Sequence, residues 1–220
     1  MSGGDRRLLP DNWVSGVEYI GHPVYSPAIT ADLQKSLHTP VAATAGWVKV
    51  GAADLATPCP TVQIRPVTLP SHPANGQCGL FATKHLPPGS FILPYVGRIH
   101  TNASDDTDAE SDYDLSMDRE LGMSVDASKV GNEARFMNDY RGVADSPNAE
   151  FRDCWVQLPA AQGQKRSRWE RRIGVFVLSA GKAGKRTRGI QPGEEILVNY
   201  GRSFWKERQQ AQAQQVLNCN

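Results

Sequence analysis

Apolar and polar residues of this chain fall into short runs, interrupted every few residues by glycine or proline. Thr61-Val62-Gln63-Ile64-Arg65 alternates with the period of two that sets one face of a strand against a core. Residues 90–99 are rich in bulky apolar side chains and predict a second strand, entered through the tight turn Leu86-Pro87-Pro88-Gly89. Two more strands are predicted at 113–117 and 123–127, with Leu121-Gly122 turning between them. A last pair is predicted at 154–158 and 173–178, and its second member is almost wholly apolar. Helical periodicity is scarce. Ile29, Leu33 and Leu37 recur every fourth residue after Ser26-Pro27, a pair that suits a cap followed by proline at the first helical position, and Pro40 ends the run. Strong helix formers from Ser203 through Leu217 predict a helical C-terminal tail.

Composition sharpens this picture only in part. A chain of 220 residues with 40% hydrophobic and 21% charged side chains has room for one core. Fifteen prolines and twenty glycines favour strands and loops over a helical bundle. Cys59, Cys78, Cys154 and Cys219 lie far apart without a Cys-x-x-Cys pair, and the five histidines are equally scattered, so no metal site is expected. No apolar run approaches the ~18–20 residues that span a bilayer, and the first residues lack a signal peptide's apolar stretch; a soluble protein inside the cell is expected, with no membrane partner. Trp13 and Trp47 suggest that residues 1–60 form an extension packed on the rest of the chain, with a boundary at Pro58-Cys59-Pro60. The net charge of +1 gives no overall pull toward nucleic acid. Locally, residues 102–112 carry five acids in a run expected to be a solvated loop, while basic loops at 165–172 and 182–188 suit phosphates.

One stretch fits neither period. Gly131-Asn132-Glu133-Ala134-Arg135-Phe136-Met137-Asn138-Asp139-Tyr140 mixes charge, aromatic bulk and an amide, and Pro192-Gly193-Glu194-Glu195-Ile196-Leu197-Val198-Asn199-Tyr200-Gly201 comes later in the chain. Together they resemble two linked signatures of the SET-domain family of protein lysine methyltransferases, Arg-Phe-Ile-Asn-His-Ser and Gly-Glu-Glu-Leu…Asp-Tyr-Gly. Three weaker matches accompany them: Gln77-Cys78-Gly79-Leu80-Phe81-Ala82 to the family's glycine turn, Tyr95-Val96-Gly97 to its Tyr-x-Gly strand, and Asp126-Ala127 to its Asp-Ala step. Gln77 stands where the family has a glycine, and Asp139 where it has histidine.

The resemblance implies a mainly β (α+β) fold of several small sheets with a C-terminal pseudoknot, spanning residues 61–205 between the N-terminal extension and a tail at 206–220. It implies S-adenosylmethionine as methyl donor and a protein lysine as acceptor, a histone tail first among the candidates. Tyr200, Tyr95 and Tyr113 would form the catalytic and lysine-holding set. Gly79, Leu80, Phe81, Tyr113, Arg135, Asn138, Asp139 and Trp205 would bind the donor, with Asp139 either facing its charge or leaving the contact to backbone groups. A nuclear location is expected, with the cytoplasm as the other choice, and the basic loops suggest nucleosomal DNA. Two other readings stay open: a catalytically inactive SET-like module that binds peptide or chromatin, and a nucleic-acid-binding protein built on the basic loops.

Overall fold

The computed structural model describes residues 9–159, 167–181, 187–201 and 204–205. In chain order the elements are β1 (Glu18–Tyr19), β2 (Val24–Tyr25), α1 (Ala31–Leu37), β3 (Val48–Val50), β4 (Val62–Pro66), β5 (Cys78–Ala82), β6 (Phe91–Pro94) and β7 (Arg98–Thr101). Then come β8 (Asp114–Asp118), β9 (Met123–Asp126), β10 (Val130–Gly131), β11 (Asn138–Asp139), β12 (Ala149–Leu158), β13 (Arg168–Val177) and β14 (Leu197–Val198). The fold is mostly strand, in several small sheets, with α1 as the one α-helix of more than a single turn among the described residues. None of the described helices is long and apolar enough to cross a membrane.

The largest hairpin explains its own sequence. β12 and β13 pair antiparallel over ten residues each, Ala149 opposite Val177 and Leu158 opposite Arg168, inside a sheet ordered β3-β12-β13-β6. Ile173, Val175 and Val177 face the main core with Ile64, Leu80, Ile196 and Val198, while Phe176 turns to the other face and packs with Cys154, Val156, Leu158 and Val50. Both faces of this stretch are covered, so alternation is lost and an unbroken apolar run remains. Burying a side chain the size of Phe176 stabilises the fold by roughly 2 kcal/mol. The second sheet, ordered β2-β7-β9-β8, contributes Ile99, Met123, Val125 and Met117 to the main core and leaves β8 on its edge.

Several expected boundaries move, each for a visible reason. The helix begins at Ala31, because Thr30 rather than Ser26 caps it: the Thr30 hydroxyl accepts the Leu33 N–H at 3.3 Å. Ser26 is buried and spends its hydroxyl on Asp106. α1 stops at Leu37, short of Pro40. The strand expected at 90–99 is two strands, β6 and β7, broken around Gly97, where any Cβ would collide with the backbone carbonyl of Asp126. β8 starts one residue after Tyr113.

The basic loop expected at 165–172 is strand from Arg168 onward. Arg172 and Glu170 are buried and paired at 2.8 Å, and the Tyr25 hydroxyl donates to the same carboxylate at 2.7 Å. Arg171 is held by Asp118, by the Met117 carbonyl and over the Trp47 ring. Neither arginine is available to a phosphate. The rest of that loop at 165–166, most of 182–188 and the tail at 206–220 lie outside the described residues.

Residues 9–60 are woven into the later strands. β1 pairs parallel with β10, β2 with β7, and β3 with β12. Glu133, only 3% exposed, accepts hydrogen bonds from the Tyr19 hydroxyl at 3.1 Å and from the Cys59 N–H at 2.8 Å. A buried carboxylate needs such donors.

The knot is made by residues 193–198, which three separate pieces of chain grip. β5 bonds them through Gly193 N–H to Ala82 O and Ile196 N–H to Leu80 O, both 2.8 Å. β11 pairs parallel with β14, Asn138 opposite Leu197 and Asp139 opposite Val198. Asn148 closes the third side, its amide donating to Glu195 O at 2.7 Å and accepting Leu197 N–H at 2.8 Å.

Candidate active site

A cleft of about 1000 Å³ opens beside this crossing. Its walls come from β5 and the loop before it, from residues 107–116, from 134–139 and from residues 200, 204 and 205. Tyr95, Tyr113 and Tyr200, far apart in sequence, all line it. Tyr95 is buried, donates its hydroxyl to the Tyr113 carbonyl at 2.7 Å, and meets the Phe151 ring edge-on at 5.7 Å. Burial, then the charge of Asp126, pushes its phenol well above the ordinary value, so it stays protonated at neutral pH. The Tyr200 hydroxyl donates to the Met137 carbonyl at 2.5 Å, and its backbone N–H donates to Asp139 at 2.8 Å. That pair of bonds fixes the phenol across the crossing. Arg135 stacks its guanidinium on the Tyr113 ring at 4.3 Å while its Nε–H donates to the Ala127 carbonyl at 2.9 Å.

Asn138 ties the two crossed segments together. Its Nδ2 donates to Glu195 Oε1 at 2.8 Å and, more weakly, to the Cys78 carbonyl at 3.4 Å. The other Glu195 oxygen meets His72 Nε2 at 3.0 Å, with the two side chains 10% and 5% exposed. Gly79 belongs to this contact, because any Cβ there would strike the Glu195 carboxylate and come within 3.1 Å of the Asn138 amide. The glycine is required by the packing of Glu195.

Asp139 is buried, and its carboxylate accepts the N–H of Tyr200 and the N–H and guanidinium of Arg141. Burial alone would raise its pKa, but these hydrogen bonds hold it below the usual carboxylate range. Trp205 sits edge-on to Phe204, at 5.5 Å and 85°, and the Arg141 guanidinium lies 5.9 Å from its ring. Its buried Nε1–H lies beside the Asp139 carboxylate and helps to hold that pKa down.

Of the residues expected from sequence, the cleft gathers Tyr95, Tyr113, Tyr200, Arg135, Asn138, Asp139 and Trp205. Gly79, Leu80 and Phe81 stand behind the wall: Leu80 is fully buried in the core, and Phe81 lies under the Arg65 guanidinium at 4.7 Å. The surface they were expected to supply comes from Gly76, Gln77 and Cys78, one step earlier in the chain. Sequence reasoning also missed His72, Phe151 and the Met137 carbonyl. His72 sits in a turn-rich link with no motif around it, and a backbone carbonyl leaves no mark in a sequence. Glu195 stood inside a quoted signature, but nothing in its spacing tells which of the two adjacent glutamates turns inward.

The acidic run forms one rim of the cleft through Thr107, Asp108, Ser111 and Asp112. It is not uniformly solvated. Asp106 is drawn inward to Arg98, Ser26 and Thr101. Burial would raise its pKa, but the Ser26, Thr101 and Arg98 hydrogen bonds bring it down to about 2.

A family model described as SET domain matches residues 77–201. Among curated proteins, the histone-lysine N-methyltransferase EHMT1 of Homo sapiens is 28% identical over 129 residues, 58% of this chain and 8% of that protein. The Mus musculus protein of the same name matches to the same extent. This chain therefore spans 8% of the length of these relatives. Similar solved structures include the Chaetomium thermophilum polycomb repressive complex 2, with a TM-score of 0.43 at 23% identity over 64% of this chain and 15% of that one. A structure of ctPRC2 in an autoinhibited conformation bound to S-adenosylmethionine scores 0.44, also at 23% identity, over 64% of this chain and 15% of that one.

Proposed function

The chain belongs to the SET-domain family, and from that premise we propose that it transfers a methyl group from S-adenosylmethionine to the ε-nitrogen of a protein lysine. The observation that carries this reading is the meeting of Tyr95, Tyr113 and Tyr200 on one cleft beside the crossed segments. The fit of the donor is supported by three features of the same cleft. Its volume of about 1000 Å³ suits a nucleoside with a side chain attached. Trp205 brings a flat indole to the cleft wall beside Asp139, and the loop at 73–78 brings backbone close to the opening. Gln77, Asn138, Asp139 and Trp205 would hold the donor at one end, with the tyrosines at the other.

When bound, S-adenosylmethionine supplies an electrophilic methyl carbon on a sulfonium, which leaves as the neutral thioether when the new N–C bond forms. The lysine must arrive neutral, although its ordinary pKa is near ~10.4. Rings of Tyr95, Tyr113 and Phe151 exclude water from the passage and so disfavour the ammonium form. The displaced proton passes to solvent, and no side-chain base is called for. Tyr95 cannot be that base, since burial keeps its phenol protonated. With its hydrogen donated to the Met137 carbonyl, the Tyr200 hydroxyl would meet the amine and the C–H bonds of the transferring methyl as an acceptor. Holding nitrogen and carbon in line supplies much of the acceleration by proximity.

The acidic rim at 107–112 suits a basic peptide, and a histone tail is the substrate this reading favours, which implies work in the nucleus. The test is methyl transfer from isotopically labelled S-adenosylmethionine to histone octamers, nucleosomes and ribosomal proteins, with the product located by mass spectrometry. Labelled lysine is expected with the native chain. In Tyr200→Phe the rate should fall by about a hundredfold while donor affinity is kept, because geometry rather than binding is lost. Transfer by Tyr200→Phe at the native rate would remove Tyr200 from the mechanism. Donor binding without transfer to any fraction would favour the non-catalytic, peptide-binding module.

A further inference from the structure

We propose that His72 and Glu195 form a positioning pair that fixes the side-chain amide of Asn138 in the wall of the donor cleft. The inference rests on the methyl-donor reading of that cleft and adds two residues to it that act through Asn138.

Hydrogen-bond polarity forces the arrangement. The backbone N–H of Ala74 donates to His72 Nδ1 at 3.0 Å, so that nitrogen carries no proton. The neutral ring must then be protonated at Nε2, which donates to Glu195 Oε2 at 3.0 Å. The second carboxylate oxygen, Oε1, accepts from Asn138 Nδ2 at 2.8 Å. Asn138 is thereby oriented without ambiguity. Both groups its amide meets on the knot side, the Glu195 carboxylate and the Cys78 carbonyl, are acceptors, so only the NH₂ can face them. Among the described residues nothing donates to Asn138 Oδ1, which is left as the acceptor this side chain offers to a ligand. An amide free to flip would offer a donor half the time and lose that discrimination.

Burial gives the arrangement its strength. His72 and Glu195 are 5% and 10% exposed at the side chain, and a carboxylate so placed is costly without its donors. The same imidazole also closes the turn at 72–74, which leads into Gly76, Gln77 and Cys78 of the cleft wall. One ring therefore serves two bonds, and the two roles separate by substitution. In His72→Asn the shorter amide oxygen can still accept the Ala74 N–H, but nothing reaches Glu195. In His72→Gln the longer amide can still donate to Glu195, at the expense of the turn.

The test is calorimetric titration of S-adenosylmethionine into the native chain, His72→Asn, His72→Gln and Glu195→Gln, with thermal melting of each and steady-state kinetics at saturating donor. His72→Asn is expected to weaken donor binding by about tenfold, the equivalent of one buried charge-assisted hydrogen bond, with kcat nearly kept. His72→Gln should bind within about twofold of native, well inside one such bond. Glu195→Gln offers one amide oxygen to two donors and should weaken binding as His72→Asn does, which keeps the test open if His72→Asn fails to fold. Native affinity in His72→Asn or in Glu195→Gln would overturn the inference alone. So would rescue by asparagine rather than glutamine, which would assign His72 to the turn. A native chain that takes up no donor would overturn the methyl-donor reading, and this inference with it.

Discussion

Asp106 shows how much one side chain in an apparently featureless acidic run can contribute. It accepts from the Ser26 hydroxyl, the Thr101 N–H and hydroxyl, and the Arg98 guanidinium, and so pins the start of the acidic loop to β7. Its folded-state pKa of about 2 lies below the ordinary 3.8, so the stability it contributes is present above the ordinary value and lost as pH falls through the lower one. Urea unfolding of the native chain and Asp106→Asn at a series of pH values should show a gap that narrows between pH 3.8 and 2. A gap independent of pH would deny the carboxylate that role. At this scale the three tyrosines that line the cleft were singled out in the sequence only through the motifs of the resemblance beside them. Asp106, Glu133 and Glu170 were illegible because each takes at least one donor from a distant segment (Ser26, Tyr19 and Cys59, and Tyr25 in turn), and a string of residues does not announce which carboxylate will find them.

At the level of elements, period and length decided what could be foreseen. The apolar run ending β13 and the alternation of β4 stood out, because four or more residues repeat one pattern. β1, β2, β10, β11 and β14 are two residues long and too short to carry a period, yet three of the parallel pairings that hold the molecule together are made by them. The arginines of β13 read as a basic loop in the sequence because charge density outweighs an alternation that only their burial makes evident. The three parallel additions from residues 18–50 also bear on where the folding unit starts. A fragment of residues 61–205 lacks β1, β2 and β3 and leaves Glu133 without its Tyr19 and Cys59 donors. Such a fragment is expected not to unfold cooperatively on heating, when monitored by circular dichroism. A sharp transition near that of the full chain would mean that the N-terminal strands are dispensable decoration.

For the molecule as a whole, the decisive feature is that residues 193–198 are gripped by β5, β11 and Asn148 at once. That crossing brings Asn138 on β11 and Tyr200, two residues beyond β14, to one place and opens the cleft beside them. The two signatures that form it were visible in the sequence, but their contact was known only by resemblance, since no local pattern encodes a meeting of distant segments. The proposed activity stands on that cleft holding both reactants. The measurement that tests it most directly is a crystal structure of the chain with S-adenosylhomocysteine and a lysine peptide. The nucleoside is expected beside Asn138 and Trp205, and the lysine is expected to enter between Tyr95, Tyr113 and Tyr200 with its nitrogen aimed at the sulfur. A nucleoside bound elsewhere, or a lysine kept out of the tyrosine passage, would contradict it.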